Sequence, residues 1–304
     1  MSERTDSPGR RAWQRFRQNR FTVISAWFLL AVVALVLVWP LVAPHNPDAL
    51  SDEQFRPPSL KHWFGTDVHG RDVFSRVLYG ARISLLVGIV GAGVSLIIGV
   101  TWGATAGYVG GRVDGAMMRV VDILYSLPSI IFVIVLITTL EGVFKNWLAH
   151  TGSAALVKHA RLLFLFVGLG AVSWLTMARI VRGQVLSLRA RPFVEASRAL
   201  GAGTLHILSR HIIPNVLGVV IVYLTLTVPA IILYESFLSY LGLGIQPPMA
   251  SWGSLISEGA DQINPIRIYW WLIVFPGGVM VATLLALNFL GDGLRDAWEV
   301  RGQA

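Results

Sequence analysis

Glu235 and Asp122 are the residues with the clearest potential for chemistry, because each falls inside a long apolar run. An ionised group in hydrocarbon costs roughly 2.5–3.5 kcal/mol even on lenient insertion scales, so such residues are functional candidates by default. Glu235, beside Ser236 and close after Pro229, could line a translocation path. It could equally make a structural hydrogen bond to a neighbouring helix. Asp122 lies near the start of its run and within reach of Arg119, which favours a structural role, and Asn288 suits a helix–helix hydrogen bond. The other reactive residue types form no site. The three Lys follow Leu60, Phe144 and Val157, whereas the phosphate loop GxxxxGK[ST] needs a Lys after Gly. The seven His include no HExxH pair, there is no Cys, and no Ser occupies a GxSxG elbow. The sequence offers no basis for an enzyme, and any ATP hydrolysis that drives this protein belongs to another chain.

A second constellation is positional. Between two apolar runs lies RPFVEASRALGAGTLHILSRHIIPN, residues 191–215. Pro192 suits the first position of a helix, and Phe193, Ala196 and Leu200 follow at i, i+3 and i+7 as one apolar stripe. Gly201 and Gly203 break that helix. A second begins at Thr204 with Leu205, Leu208 and Ile212, and Pro214 is expected to stop it. Two short amphipathic helices around a glycine turn, flanked by Arg189, Arg191, Arg198 and Arg210, call for a soluble partner on the positive side of a membrane. A solvated loop or a nucleic-acid-reading helix-turn-helix is the blander alternative, and a DNA reader seldom sits between two membrane spans.

Glu195, Ala196, Ser197, Gly201 and Pro214 resemble the EAA loop of ABC-importer permeases, spaced without a gap. Ser197 stands for the second Ala, His211 for the Ile and Ile213 for the Leu. The form His-Ile-Ile-Pro-Asn is similar to the peptide-importer branch. Other stretches carry the same resemblance. Gly65-Thr66-Asp67, Gly70-Arg71-Asp72, Ser75-Arg76 and Gly80-Ala81-Arg82 match GTDxxGRDxxSRxxxGARxSL; Trp174 to Gly183, Glu235 to Gly244 and Gly291 to Asp296 are also family-like. The likeness runs over nearly the whole chain, is to the C-type subunit of the oligopeptide, dipeptide and nickel family, and is nearest in look to the oligopeptide permeases. It implies the type I ABC-importer permease fold, in a bacterial inner membrane. It also implies a homologous B-type permease, two ATP-binding subunits docked on the EAA loops with ATP and Mg held there, and an extracytoplasmic substrate-binding protein. No cofactor is expected in this chain, and no nucleic acid.

The elements that must carry these residues follow from composition. With 304 residues, 54% hydrophobic and 14% charged, the chain has the composition of a membrane protein. Spans of about 20 apolar residues are expected at 21–43, 83–108, from after Arg119 to about Leu140, 162–178, 216–234 and 268–290, the last interrupted by Pro276. Arg10, Arg11, Arg15, Arg17 and Arg20, with Trp13 and Phe16 interleaved, suit the anionic inner leaflet. The stretch 44–82 reads as an external loop, with Asp72 and Arg76 an i, i+4 ion pair. Gly110 to Arg119 reads as a short internal loop. Residues 141–161, with Trp147, His150 and His159, read as an external loop with an interfacial helix, and 244–267, with Pro247, Pro248 and Trp252, as a re-entrant or lid-like segment. Gly91, Ser95, Gly99, Gly103 and Gly107 recur every four residues, which lets helices approach closely, within the subunit or between subunits.

In that arrangement sixteen of the 25 Lys and Arg, from Arg4 to Arg301, fall on internal segments, in accord with the positive-inside rule. The expectation is an all-α membrane protein of six spans with both termini cytoplasmic. It comprises an amino-terminal part, 1–82, and a permease core, 83–304. The competing reading is a proton-coupled secondary transporter of small solutes with Glu235 and Asp122 as relay; no internal repeat supports it, and it leaves the 191–215 loop without a purpose. A purely structural scaffold would need neither the intramembrane Glu nor the lid.

Overall fold

The computed structural model describes residues 8–151, 154–247 and 249–298. Arg4, Pro248 and Arg301 lie outside the described residues, as do the side chains of Arg10, Arg11, Lys145, Trp147, His150, Lys158, His159 and Arg161. In chain order the helices are α1 (Pro8–Gln18), α2 (Arg20–Leu37), α3 (Trp39–Val42), α4 (Val73–Val109), α5 (Gly111–Ser126) and α6 (Ser129–Thr151). They continue with α7 (Ala154–Leu188), α8 (Pro192–Ala199), α9 (Thr204–Ile207), α10 (Ile213–Tyr240), α11 (Trp252–Ala260) and α12 (Trp271–Trp298). Among the described residues the sole extended pairing is one bridge, Thr66 to Asp72.

Among the described residues, five helical stretches are long and apolar enough to cross a bilayer: Arg20–Leu37, Val73–Val109, Phe164–Leu188, Thr204–Tyr240 and Trp271–Ala297. A sixth crossing exists only if Gly111–Ser126 and Ser129–Thr139 act as one, and they meet at 91°. The expected third span is therefore two helices. Leu127, driven extended by Pro128 after it (φ −81°, ψ 137°), makes the corner. Gly110 to Arg119 is not a loop: Gly110 (φ +72°) turns the chain, and the next residues start α5 directly. Pro276 does not interrupt α12, which runs through it.

Residues up to Gly88 together with those from Ile232 form one compact unit, and Ile89–Ile231 a second. In the first, α2 lies along α12: Phe21 stacks on Phe289 at 5.7 Å, and Thr22 occupies the space a side chain at Gly293 would need. The outer side of α2, with Ile24, Trp27, Leu30 and Leu37 exposed, has the character of a lipid face. α11 is a seated wedge. Trp252 is fully buried and donates from Nε1 to Val77 O at 3.2 Å, while Gly253 lies against the Ser236 backbone and Gly259 against Leu272.

In the second unit the small-residue stripe of α4 meets α7 of the same chain. A Cβ on Gly99 would come within 2.6 Å of Met177 Cβ, and one on Gly103 within 2.4 Å of Ala178 O. One on Gly107 would lie 2.9 Å from Arg182 O. The stripe is thus an internal packing seam at these positions. At its end Arg182 forks onto Asp114, with Nε to Oδ1 at 2.5 Å and Nη2 to Oδ2 at 2.6 Å, tying α7 to α5.

Candidate functional site

The 191–215 segment is built from its caps inward. Arg191 is extended (φ −81°, ψ 145°), Pro192 occupies the first turn, and α8 runs to Ala199. It ends at Gly201, whose φ is +81°. Gly201 N–H donates to Arg198 O at 3.0 Å and Ala202 N–H to Ser197 O at 3.1 Å, the paired bonds of a Schellman cap. Gly203 then opens α9.

Pro214 does not stop the second helix. Leu208–Ile212 widen into a π turn, with Ile213 N–H bonded to Leu208 O, and α10 continues through Pro214 to Tyr240. A widened turn gives room around the carbonyl that a proline ring would otherwise strike.

The loop also has an underside that the spacing did not reveal. Val194, Ile207, Leu208 and Ile212 are buried in one cluster with Val100, Tyr108, Met177 and Val181. Arg198 rides over the Tyr108 ring at 5.5 Å and donates to its hydroxyl at 3.3 Å; Arg189 donates to Gly107 O at 3.1 Å. Of the expected apolar stripes, Leu208 and Ile212 face inward, while Phe193, Ala196, Leu200 and Leu205 face out; Leu200 and Leu205 are 89% and 81% exposed. Glu195 and Pro214 are exposed, Ser197 and His211 half-buried, and the His211 ring is 6.3 Å from Phe193. The segment is a firmly seated platform with an apolar crest beside a carboxylate.

Glu235 is fully buried in the first unit. Its Oε1 accepts from Ser239 Oγ at 2.6 Å and Ser251 Oγ at 2.7 Å, while Oε2 has no partner among the described residues. Ser251 is also the N-cap of α11, taking Ser254 N–H at 3.1 Å, so Glu235 anchors the wedge from α10. Ser236 Oγ points to Met280 Sδ at 3.3 Å. Glu235 and Ser236 are thus adjacent in the chain but have different partners.

Asp122 pairs with Arg179 at 2.8 Å, not with Arg119, and both groups are exposed. The anticipated Asp72–Arg76 side-chain pair is also absent. Asp72 Oδ2 instead takes Ser75 N–H at 2.8 Å and Ser75 Oγ at 2.7 Å, capping α4. Arg76 reaches away to Asp67 at 2.8 Å and Glu258 at 2.6 Å. Glu258 was not singled out from the sequence; the available signal was an Arg at the head of an apolar helix, which needs a carboxylate from somewhere.

The helices together describe a multi-pass membrane protein. The family model for the binding-protein-dependent transport system inner membrane component matches residues 99–301, and that for the N-terminal TM domain of oligopeptide transport permease C matches residues 7–59. The chain belongs to this permease family. It is 43% identical over 289 residues to the dipeptide transport system permease protein DppC of Bacillus subtilis, covering 95% of this chain and 84% of that one. It is 44% identical over 306 residues to the oligopeptide transport system permease protein OppC of Escherichia coli K12, covering 98% and 94%. Among solved structures, an inward-facing methionine ABC transporter aligns with TM-score 0.50 at 21% identity, over 74% of this chain and 97% of that chain, a likeness of fold.

Proposed function

We propose that this chain is a permease subunit of an ATP-driven peptide importer in a bacterial inner membrane, forming half of the translocation path with a homologous B-type permease. Energy enters through residues 191–215, which dock into a separate ATPase that holds ATP and Mg. An extracytoplasmic binding protein delivers the peptide. The peptide assignment rests on the names of the dipeptide and oligopeptide permeases that it matches over almost its full length. One observation carries the coupling role: Phe193, Leu200 and Leu205 are exposed beside Glu195 on a loop whose other side is buried. An apolar crest held in a fixed position is what a cleft in a soluble subunit can grip. Glu195 and Ser197 at the start of α8, with Gly201 at its end, His211 and Pro214, complete the contact surface. Glu235 and Ser236 remain the candidates for the path.

Two results test this reading. Purified chain alone is expected neither to bind nor to hydrolyse ATP, and equilibrium binding of labelled ATP at one nucleotide per chain would overturn the division of labour. Reporter tags at Ala202 and Gln54 are expected on opposite sides of the membrane, Ala202 cytoplasmic, with both chain ends on the Ala202 side. Tags reporting the same side would remove the topology on which docking depends. A secondary transporter would instead take up solute in vesicles with a proton gradient and no ATPase.

A further inference from the structure

Ahead of α4, three side chains from separate turns converge: His45, His62 and Asp72. The ligand atoms they offer lie within 4.8 Å of one another. Asp72 Oδ1 is 2.9 Å from His62 Nδ1 and 3.8 Å from His45 Nδ1. The two imidazoles stack at 4.7 Å with 29° between their planes. Asp72 and His62 are buried, and His45 is partly exposed, which leaves a way in.

As a simple hydrogen-bonded cluster this arrangement is badly satisfied. His62 places Nε2 3.2 Å from Glu53 Oε2 and Nδ1 against Asp72, but a neutral imidazole has only one N–H. The same Glu53 carboxylate also pairs with Lys61 through Oε1. With the proton on Nε2, the Nδ1 lone pair faces a carboxylate oxygen. His45 Nδ1 is buried and has no hydrogen-bond partner among the described residues, and 3.8 Å to Asp72 is too far to make one. A second proton on His62 would cure the first fault and leave the second, with a cation stacked on the other ring. A metal ion would answer both.

We infer that His45, His62 and Asp72 form a binding site for a divalent first-row transition metal, Zn²⁺ fitting best. Bonds of about 2.0–2.2 Å in a tetrahedron set ligand atoms roughly 3.3 Å apart, between the two separations observed. The donor set of two imidazoles and one carboxylate suits Zn²⁺ and its Irving–Williams neighbours over Mg²⁺ or Ca²⁺. The outer shell is in place: Glu53 on the far nitrogen of His62, and Ser75 N–H and Oγ on the far oxygen of Asp72. Three protein ligands leave a fourth position for water or another donor. Bound metal would pin the 44–47 segment and the 59–65 turn to the first turn of α4.

The test uses the full-length chain purified from membranes with the subunits that accompany it, stripped with chelator and titrated with Zn²⁺. His45→Phe keeps the ring stacked on His62 and leaves its hydrogen bonds intact. Wild type is expected to retain one Zn²⁺ more per chain than the variant, to rise in thermal midpoint with Zn²⁺, and to give the strong visible absorption of four-coordinate Co²⁺ when cobalt replaces zinc. His45→Phe should bind at least about tenfold more weakly and lose both responses. Equal metal content and equal Zn²⁺ response in wild type and variant would overturn the assignment. So would absence of stoichiometric Zn²⁺, Ni²⁺ or Co²⁺ from both.

Discussion

Gly201→Val is expected to leave the chain inserted and at normal abundance while abolishing ATPase association and peptide uptake. Space is not the obstacle, since nothing lies within 4 Å of where a Cβ would stand. The obstacle is φ +81°, which a β-branched residue adopts at a cost on the order of 1 kcal/mol or more. Relieving that strain means breaking the Schellman bonds to Ser197 and Arg198, so α8 would change direction relative to α9. The buried contacts of Val194 and Ile207 resist wholesale unfolding, and the apolar crest would be split. Gly201→Asn is the control, because Asn tolerates the left-handed region and the site is open; it should retain most uptake. Glu195→Lys should be milder, reversing a favourable helix-dipole interaction typically of 0.3–1 kcal/mol and the sign offered to a partner. The measurement is a pull-down of the ATPase alongside uptake in cells. Wild-type behaviour of both Gly201→Val and Glu195→Lys would show that this loop does not couple.

Five of the spans, the glycine turn and the α8–α9 platform were legible because each is a local property: apolar run length, a Pro at a helix start, a Gly where a helix must end. What was not legible depends on partners far away in the chain. Phe193, Ala196 and Leu200 have perfect helical spacing, yet Val194 is the residue that seats α8, because the buried side is chosen by α4 and α7 and not by the helix itself. Pro214 looked like a terminator because the rule assumes regular α geometry; a π turn just before it removes the clash. The corner at Leu127–Pro128 could be read as a kink within one span, and only the geometry gives it as 91°.

Charge pairing failed in the sequence reading for a related reason. Asp72 and Arg76 stand at i, i+4, but an Asp just before a helix has a stronger claim on the free N–H groups of the first turn. That claim leaves Arg76 seeking carboxylates elsewhere. The GTDxxGRDxxSR motif is accordingly a folded knot. Gly65 (φ +76°) lets the chain pass Trp271, Gly70 (φ +71°) lets it pass Ser51, and Ser75 closes the cap on Asp72. Its charges meet Glu258 of α11, which ties the motif to the wedge that Glu235 anchors from the other side.

Asp67→Ala is expected to be the most destabilising single substitution in this knot. Its Oδ1 accepts the backbone N–H of His69 at 2.8 Å and of Arg71 at 2.9 Å; its Oδ2 accepts from Arg71 Nε at 2.7 Å and Arg76 Nη1 at 2.8 Å. Arg76 is 4% exposed, so removing Asp67 leaves a buried guanidinium with half its compensation and two amide groups without acceptors. Losing one partner of a buried pair costs about 3–5 kcal/mol. Glu258 is 34% exposed at its side chain, so water can replace part of what Glu258→Ala removes, and the cost should be well below that of Asp67→Ala. Arg76→Met combined with Asp67→Ala should be less damaging than the sum of the two single changes, because the stranded charge goes with its partner. Thermal unfolding of the detergent-solubilised chain, with abundance in membranes as a second readout, measures all four variants. Equal midpoint losses for Asp67→Ala and Glu258→Ala, or strict additivity with Arg76→Met, would mean that the knot is held by its backbone turns and not by its buried charges.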